Sequence, residues 1–253
     1  MAGQEAMFIA AAVAAALVIA GIAVYYPSQQ PAAAQISLNT TNPVNNSSIS
    51  STPTPFPADT VQYNLTYAEW TARWWQWLLS IPEDRNPAAD QTGENCDEGQ
   101  SGPVWFLAGT FGGLSERVCT IPAGKSLLFS LLNAECSFAE YPSLRSESEL
   151  RECAVSSNEG AAGLMVTIDG SAIDPSQLYR IQSLLFEVNF PRGNIFGVPE
   201  GPSQAVSDGF WVFLPPLAPG EHEIHFRGAV EDFTTAGTNL FAQEAKYRIT
   251  VLE

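Results

Sequence analysis

Few side chains in this sequence can do acid–base or metal chemistry near neutral pH. Only two histidines occur, His222 and His225, and imidazole is the side chain whose ordinary pKa falls in that range. Both lie in Glu221–Gly228, which reads as a β-strand, so their three-residue spacing sends them to opposite faces. His222 is in phase with Ile224 and Phe226, His225 with Glu223 and Arg227. A zinc or copper site needs ligands on a common face, and this pair does not predict one. Nucleophilic catalysis lacks its sequence signature, because no serine stands in a G-x-S-x-G elbow.

Carboxylates remain, and the chain has 27 Asp and Glu. A pair acting as general acid and base would sit where strands end and polar groups gather. The candidates are Glu135, after an apolar strand, and Asp208, leading into the strand around Trp211. Arg180 is the cation that would hold an anionic group beside them. An enzyme would require these three and His222 to converge in one pocket. The densest acidic stretch is the loop DQTGENCDEGQSG, with Asp90, Glu94, Asp97 and Glu98. Calcium favours such oxygen-rich loops, although the spacing is not that of an EF-hand. Calcium is therefore the one cofactor to test, and no other is suggested.

The four cysteines, Cys96, Cys119, Cys136 and Cys153, contain no C-x-x-C pair. They read as two disulfides in an oxidising compartment rather than as a zinc knuckle. Three connectivities are possible. Nearest-neighbour closure, Cys96–Cys119 and Cys136–Cys153, makes the smallest loops and is the pairing expected. The formal net charge of −16 repels nucleic-acid phosphate and anionic headgroups, so no nucleic-acid partner is expected.

The elements that must position these groups begin with a helix. Thr66 and Glu69 form a capping box, and Trp70, Trp74, Trp77, Leu78 and Ile81 recur at helical spacing until Pro82. Such a tryptophan-rich face would serve as a sugar-stacking platform or pack on a sheet, and packing is the expectation. Short strands follow at Val104–Ala108, Arg117–Ile121 and Ser126–Leu132, then a helix at Ser146–Val155 opened by Ser146 and Glu149. Leu164–Ile168 and Ser171–Ile173 flank Asp169-Gly170 as a two-residue hairpin. Tyr179–Gln182, Leu184–Phe190, Gly209–Leu214, Glu221–Gly228 and Gln243–Leu252 complete a mainly β domain, a β-sandwich or jelly roll with one or two packed helices.

Upstream, residues 7–26 are twenty uncharged apolar or aromatic residues, about 30 Å as a helix and enough to cross a bilayer. They read as an N-terminal transmembrane anchor, or as a signal peptide cleaved after Ala34. Residues 27–60 read as a flexible Ser/Thr/Asn/Pro-rich stalk, and residues 61–253 as the β-sandwich ectodomain. Sequons at Asn39, Asn45, Asn46 and Asn64 and the cysteines all lie downstream of the apolar run. That predicts a single-pass membrane glycoprotein with its C-terminal domain outside the cell, or a secreted one if cleaved.

Several motifs run through the domain: Trp70 with Arg73-Trp74-Trp75-Gln76-Trp77, Asn86-Pro87, Gly102-Pro103-Val104-Trp105-Phe106-Leu107-Ala108-Gly109 and Ile121-Pro122-Ala123-Gly124-Lys125. Asp208-Gly209-Phe210-Trp211 and Pro216-Leu217-Ala218-Pro219-Gly220 with His222, Ile224 and Phe226 follow. In these the chain resembles a widespread group of exported bacterial and archaeal proteins of uncharacterised function, over roughly residues 65–253. The resemblance implies an exported, disulfide-bonded β domain behind a Trp-rich helix, and no activity. The function expected is a non-catalytic surface module for adhesion, envelope structure or ligand binding, with a surface glycan or envelope protein as partner. The alternative is an extracellular carboxylate-dependent hydrolase or lyase, acting on glycans.

Overall fold

The structure, a computed structural model, describes residues 53–231 and 239–253. The apolar run at 7–26, the site after Ala34 and the sequons Asn39, Asn45 and Asn46 lie outside the described residues. Within them, no helix is long and apolar enough to cross a membrane.

The described chain is mainly β, with two helices. It opens with a short hairpin, β1 (Val61–Gln62) and β2 (Leu65–Thr66), then α1 (Tyr67–Leu79), β3 (Val104–Phe106), β4 (Gly113–Ile121) and β5 (Ser126–Ser137). Next come α2 (Glu147–Ser156), β6 (Ala161–Ile168), β7 (Ser171–Ala172), β8 (Tyr179–Gln182) and β9 (Phe186–Phe190). The long strands β10 (Gly201–Leu214), β11 (Gly220–Glu231) and β12 (Asn239–Val251) finish the chain.

Two five-stranded sheets result. The first runs β3-β5-β10-β8, with β9 pairing the other half of β10, and the second runs β4-β12-β11-β6-β7. Their facing sides close one apolar core. Leu127, Phe129 and Leu131 of β5 and Val212 of β10 meet Ile224 and Phe226 of β11 and Ile249 of β12. Phe129 and Phe226 stack at 4.8 Å.

The other side of the first sheet is covered by α1. Its capping box is fully formed: the Glu69 N–H donates to Thr66 Oγ1, and the Thr66 N–H donates to Glu69 Oε2 at 2.7 Å. Trp74 packs edge-on to Trp211 at 5.3 Å, and Trp70 packs against Phe213 at 5.9 Å. The indole N–H groups of Trp70, Trp74 and Trp77 donate to the carbonyls of Gln62, Leu107 and Glu98. These three tryptophans are therefore spent on packing, each with the carbonyl partner a buried indole needs. Thr66→Ala should cost about 1 kcal/mol, read as a lower urea midpoint at unchanged slope.

The folded region also reaches upstream of residue 61. Phe56 donates its N–H to the Phe213 carbonyl at 2.8 Å and sets its ring edge-on to that residue.

One irregularity decides where the polar residues go. Between Phe210↔Leu132 and Trp211↔Ser130 the β5–β10 register slips, leaving Leu131 as an extra residue. Such a bulge reverses the alternation of one strand. Up to Leu131 the odd-numbered residues of β5 face the second sheet; from Leu132 the even-numbered ones face that side. Beyond the bulge this side is covered by α2, whose Leu150 and Ala154 pack on Cys136 and Val206.

Cys136–Cys153 joins β5 to α2, and Cys96–Cys119 joins the 90–103 loop to β4. These are the nearest-neighbour pairs, and such bridges belong to an oxidising compartment.

Candidate functional site

Glu135 and Asp208, expected at strand ends, both lie within strands. Asp208 of β10 pairs with Ala134 of β5 and with Gln182 of β8, while Glu135 pairs with Ser207. Neighbours on one strand face opposite ways. Glu135 therefore lies on the α1 side of the sheet and Asp208 on the α2 side.

Asp208 is 2% exposed and internally satisfied. Its Oδ2 accepts from Arg180 Nε at 2.9 Å and from Asn158 Nδ2 at 3.3 Å, and its carbonyl accepts from Asn158 at 2.8 Å. Arg180 Nη2 also donates to the Val155 carbonyl in the last turn of α2, where the helix dipole favours a cation. Arg180, read from the sequence as holding an anionic group beside the acids, binds Asp208 itself, and the pair holds the end of α2 on the sheet.

Glu135 is 6% exposed, and neither carboxyl oxygen accepts a hydrogen bond from the described residues. Burial pushes its carboxyl well above the usual range, and the charge of Glu140 pushes it further. Glu140 is also raised by burial, and it accepts from Ser137 Oγ at 2.6 Å. The two acids form a buried pair in which burial disfavours the charged form of each. Glu140 is a residue sequence reading misses, because only the tight turn after β5, with the Tyr141 N–H on the Ser137 carbonyl, returns it to Glu135.

His222 is in the second sheet. Its Nδ1 meets Asp169 Oδ2 at 2.8 Å and its Nε2 the Ala218 carbonyl at 2.8 Å, so both nitrogens are taken up by a turn. Asp169 also accepts from the Glu223 N–H, which fastens the Asp169-Gly170 hairpin tip to β11. His225 lies on the solvent side of the same strand, 2.7 Å from Glu244. The four catalytic candidates do not converge.

The acidic loop is organised by its own backbone. Asp90 accepts from the N–H groups of Thr92 and Asn95, and Glu98 pairs with Arg85 at 3.3 Å. Among the described residues, no group of three or more His, Cys, Asp or Glu is placed to hold a metal ion. The described sequon residue, Asn64, is exposed at the β1–β2 turn.

Arg117 is the other polar residue that sequence reading passes over. It is buried at 1% exposure between the sheets. Its Nε donates to the Asp90 carbonyl at 2.7 Å, Nη1 to the Ala108 carbonyl and Tyr247 Oη at 2.6 Å each, and Nη2 to the Gly109 carbonyl at 3.0 Å. The signal was its phase: Arg117 alternates with Cys119 and Ile121 on the apolar side of β4.

A concavity of about 430 Å³ opens on the second sheet. Small residues such as Gly163, Gly228, Ala229 and Ala242 line it, with Arg227, Glu231 and Glu244 among them. Compared with protein-family models and with curated proteins, the chain matches none.

Proposed function

We propose that this domain is a non-catalytic module of the cell surface, serving adhesion, envelope structure or ligand capture, and that it belongs with the exported group its motifs resemble. The observation that carries the reading is the division of its reactive side chains. Glu135 and Asp208 lie on opposite sides of one sheet, His222 lies in the other, and Asp208, Arg180 and His222 are each engaged in holding a turn or a helix end. A hydrolase or lyase would need those groups around one substrate atom. The two disulfides support a place outside the cytoplasm. The concavity on the second sheet is the surface through which the module takes a glycan or envelope component.

The full-length chain, screened on a glycan array and against hydrolase and lyase substrates, tests this. Saturable binding without turnover is expected, and Ala229→Trp should weaken it at least about tenfold by filling the concavity. Turnover of a glycan that Asp208→Ala abolishes would overturn the reading.

A further inference from the structure

Buried polar atoms in folded proteins almost always have partners, so a concentration of exceptions points to something that belongs there. Among the described residues, nine carry buried side-chain nitrogens or oxygens without one, and seven of the nine lie on the α1 side of the first sheet. Five come from three successive rungs of the β5–β10 ladder: Ser130 opposite Trp211, Asn133 opposite Gly209, and Glu135 opposite Ser207. The other two, Tyr67 and Trp75, come from α1 above them. Tyr67 packs edge-on to Tyr179, whose own β-partner is Trp211, and Trp75 packs on Trp74, which touches Trp211. Ser130, Ser207 and Trp211 are at most 1% exposed.

The inventory restricts the occupant. The two indole N–H groups and the Asn133 amide N–H only donate, so a bare cation would leave them unsatisfied. An anion would face the Glu135–Glu140 pair. A hydroxyl oxygen both accepts from the N–H groups and donates to a carboxyl or serine oxygen. We propose that the α1–sheet interface is an internal site for hydroxyl oxygens, supplied by ordered water or by a small neutral polyol, which bridge Trp75 and Trp211 to Ser130, Ser207 and Glu135. Water is the smaller source, and two to four polar partners per molecule is what a buried water requires.

The double variant Ser130→Ala/Ser207→Ala tests it on the full-length chain. If the hydroxyls hold bridging oxygens, their loss lowers Tm by about 2–4 °C per lost bridge. If the interface is dry, removing two unsatisfied hydroxyls raises Tm, and the proposal fails. A glycerol titration separates the sources. A saturable Tm rise in the wild type that the double variant lacks assigns the site to a polyol; an equal, unsaturable rise in both, with the double variant still lower, assigns it to water. A high-resolution crystal structure with no density between Trp211 Nε1 and Ser207 Oγ would also overturn it. Glycan binding at the second sheet is read separately, so either result stands without the other.

Discussion

Arg117→Met is expected to destabilise the fold by about 3–5 kcal/mol, the largest effect of any single substitution considered for this domain. The methionine stem replaces much of the apolar volume, so the loss isolates the guanidinium. Its donors satisfy the carbonyls of Asp90, Ala108 and Gly109, and it lies 5.3 Å from the centre of the Tyr247 ring. Tyr247 Oη still reaches the Ala108 carbonyl at 2.7 Å, but the other two carbonyls have no substitute donor. Arg117→Lys should recover only part of the loss, because an ammonium cannot reproduce the planar fork. Urea unfolding decides the matter: the midpoint should fall with the slope unchanged, and a loss below about 1 kcal/mol would show that water replaces the guanidinium.

Glu135→Gln is expected to act in the other direction, raising stability by about 2 kcal/mol at pH 8 and leaving it nearly unchanged at pH 4. The sign follows from the raised carboxyls of Glu135 and Glu140. In the unfolded chain Glu135 releases its proton near the ordinary value of 4.5, whereas in the folded protein it holds the proton to higher pH. Between those values the folded state binds more protons, so wild-type stability falls as pH rises above about 4.5. An amide is neutral throughout, and its N–H can donate to Glu140, so the variant should lose most of that slope. Tyr141, beside the pair, is raised first by its own burial and then by the charges of Glu140 and Glu135. Melting temperatures across pH 4–8 test this, and parallel profiles for variant and wild type would refute it.

Much of this architecture was legible in the sequence, in places where local chemistry and the final fold agree. The alternation of Tyr247, Ile249 and Val251 with Lys246, Arg248 and Thr250 predicts a half-buried strand, and those residues lie in β12 with the apolar set inside. The capping residues Thr66 and Ser146 begin α1 and α2. Asp169 and Gly170 take the positive φ values, 51° and 77°, that a two-residue hairpin asks for. The β1–β2 turn carries no such signature at its first position, since Tyr63 at φ 52° occupies a conformation that tyrosine rarely adopts.

Tertiary pairing hid the rest. Asn133, Ala134 and Glu135 interrupt the apolar run of β5 and read as a strand end, and Ser207-Asp208 does the same for β10. Yet each half supplies the other's ladder partners, so the polar stretch continues the sheet. That Glu135 and Asp208 face different layers depends on a register between segments some seventy residues apart. No window on either strand contains that information.

The extra residue at Leu131 acts on β5 as a frameshift acts on a coding sequence. Removing that residue would restore a regular ladder, with Leu132 still opposite Phe210 and every later rung keeping its partner and its layer. A residue lost between Leu132 and Cys136, with the bulge kept, would instead exchange the two layers and carry Cys136 away from Cys153. The bulge is thus the one point in this stretch where the reading frame can absorb a deletion without scrambling the cross-linking of the domain.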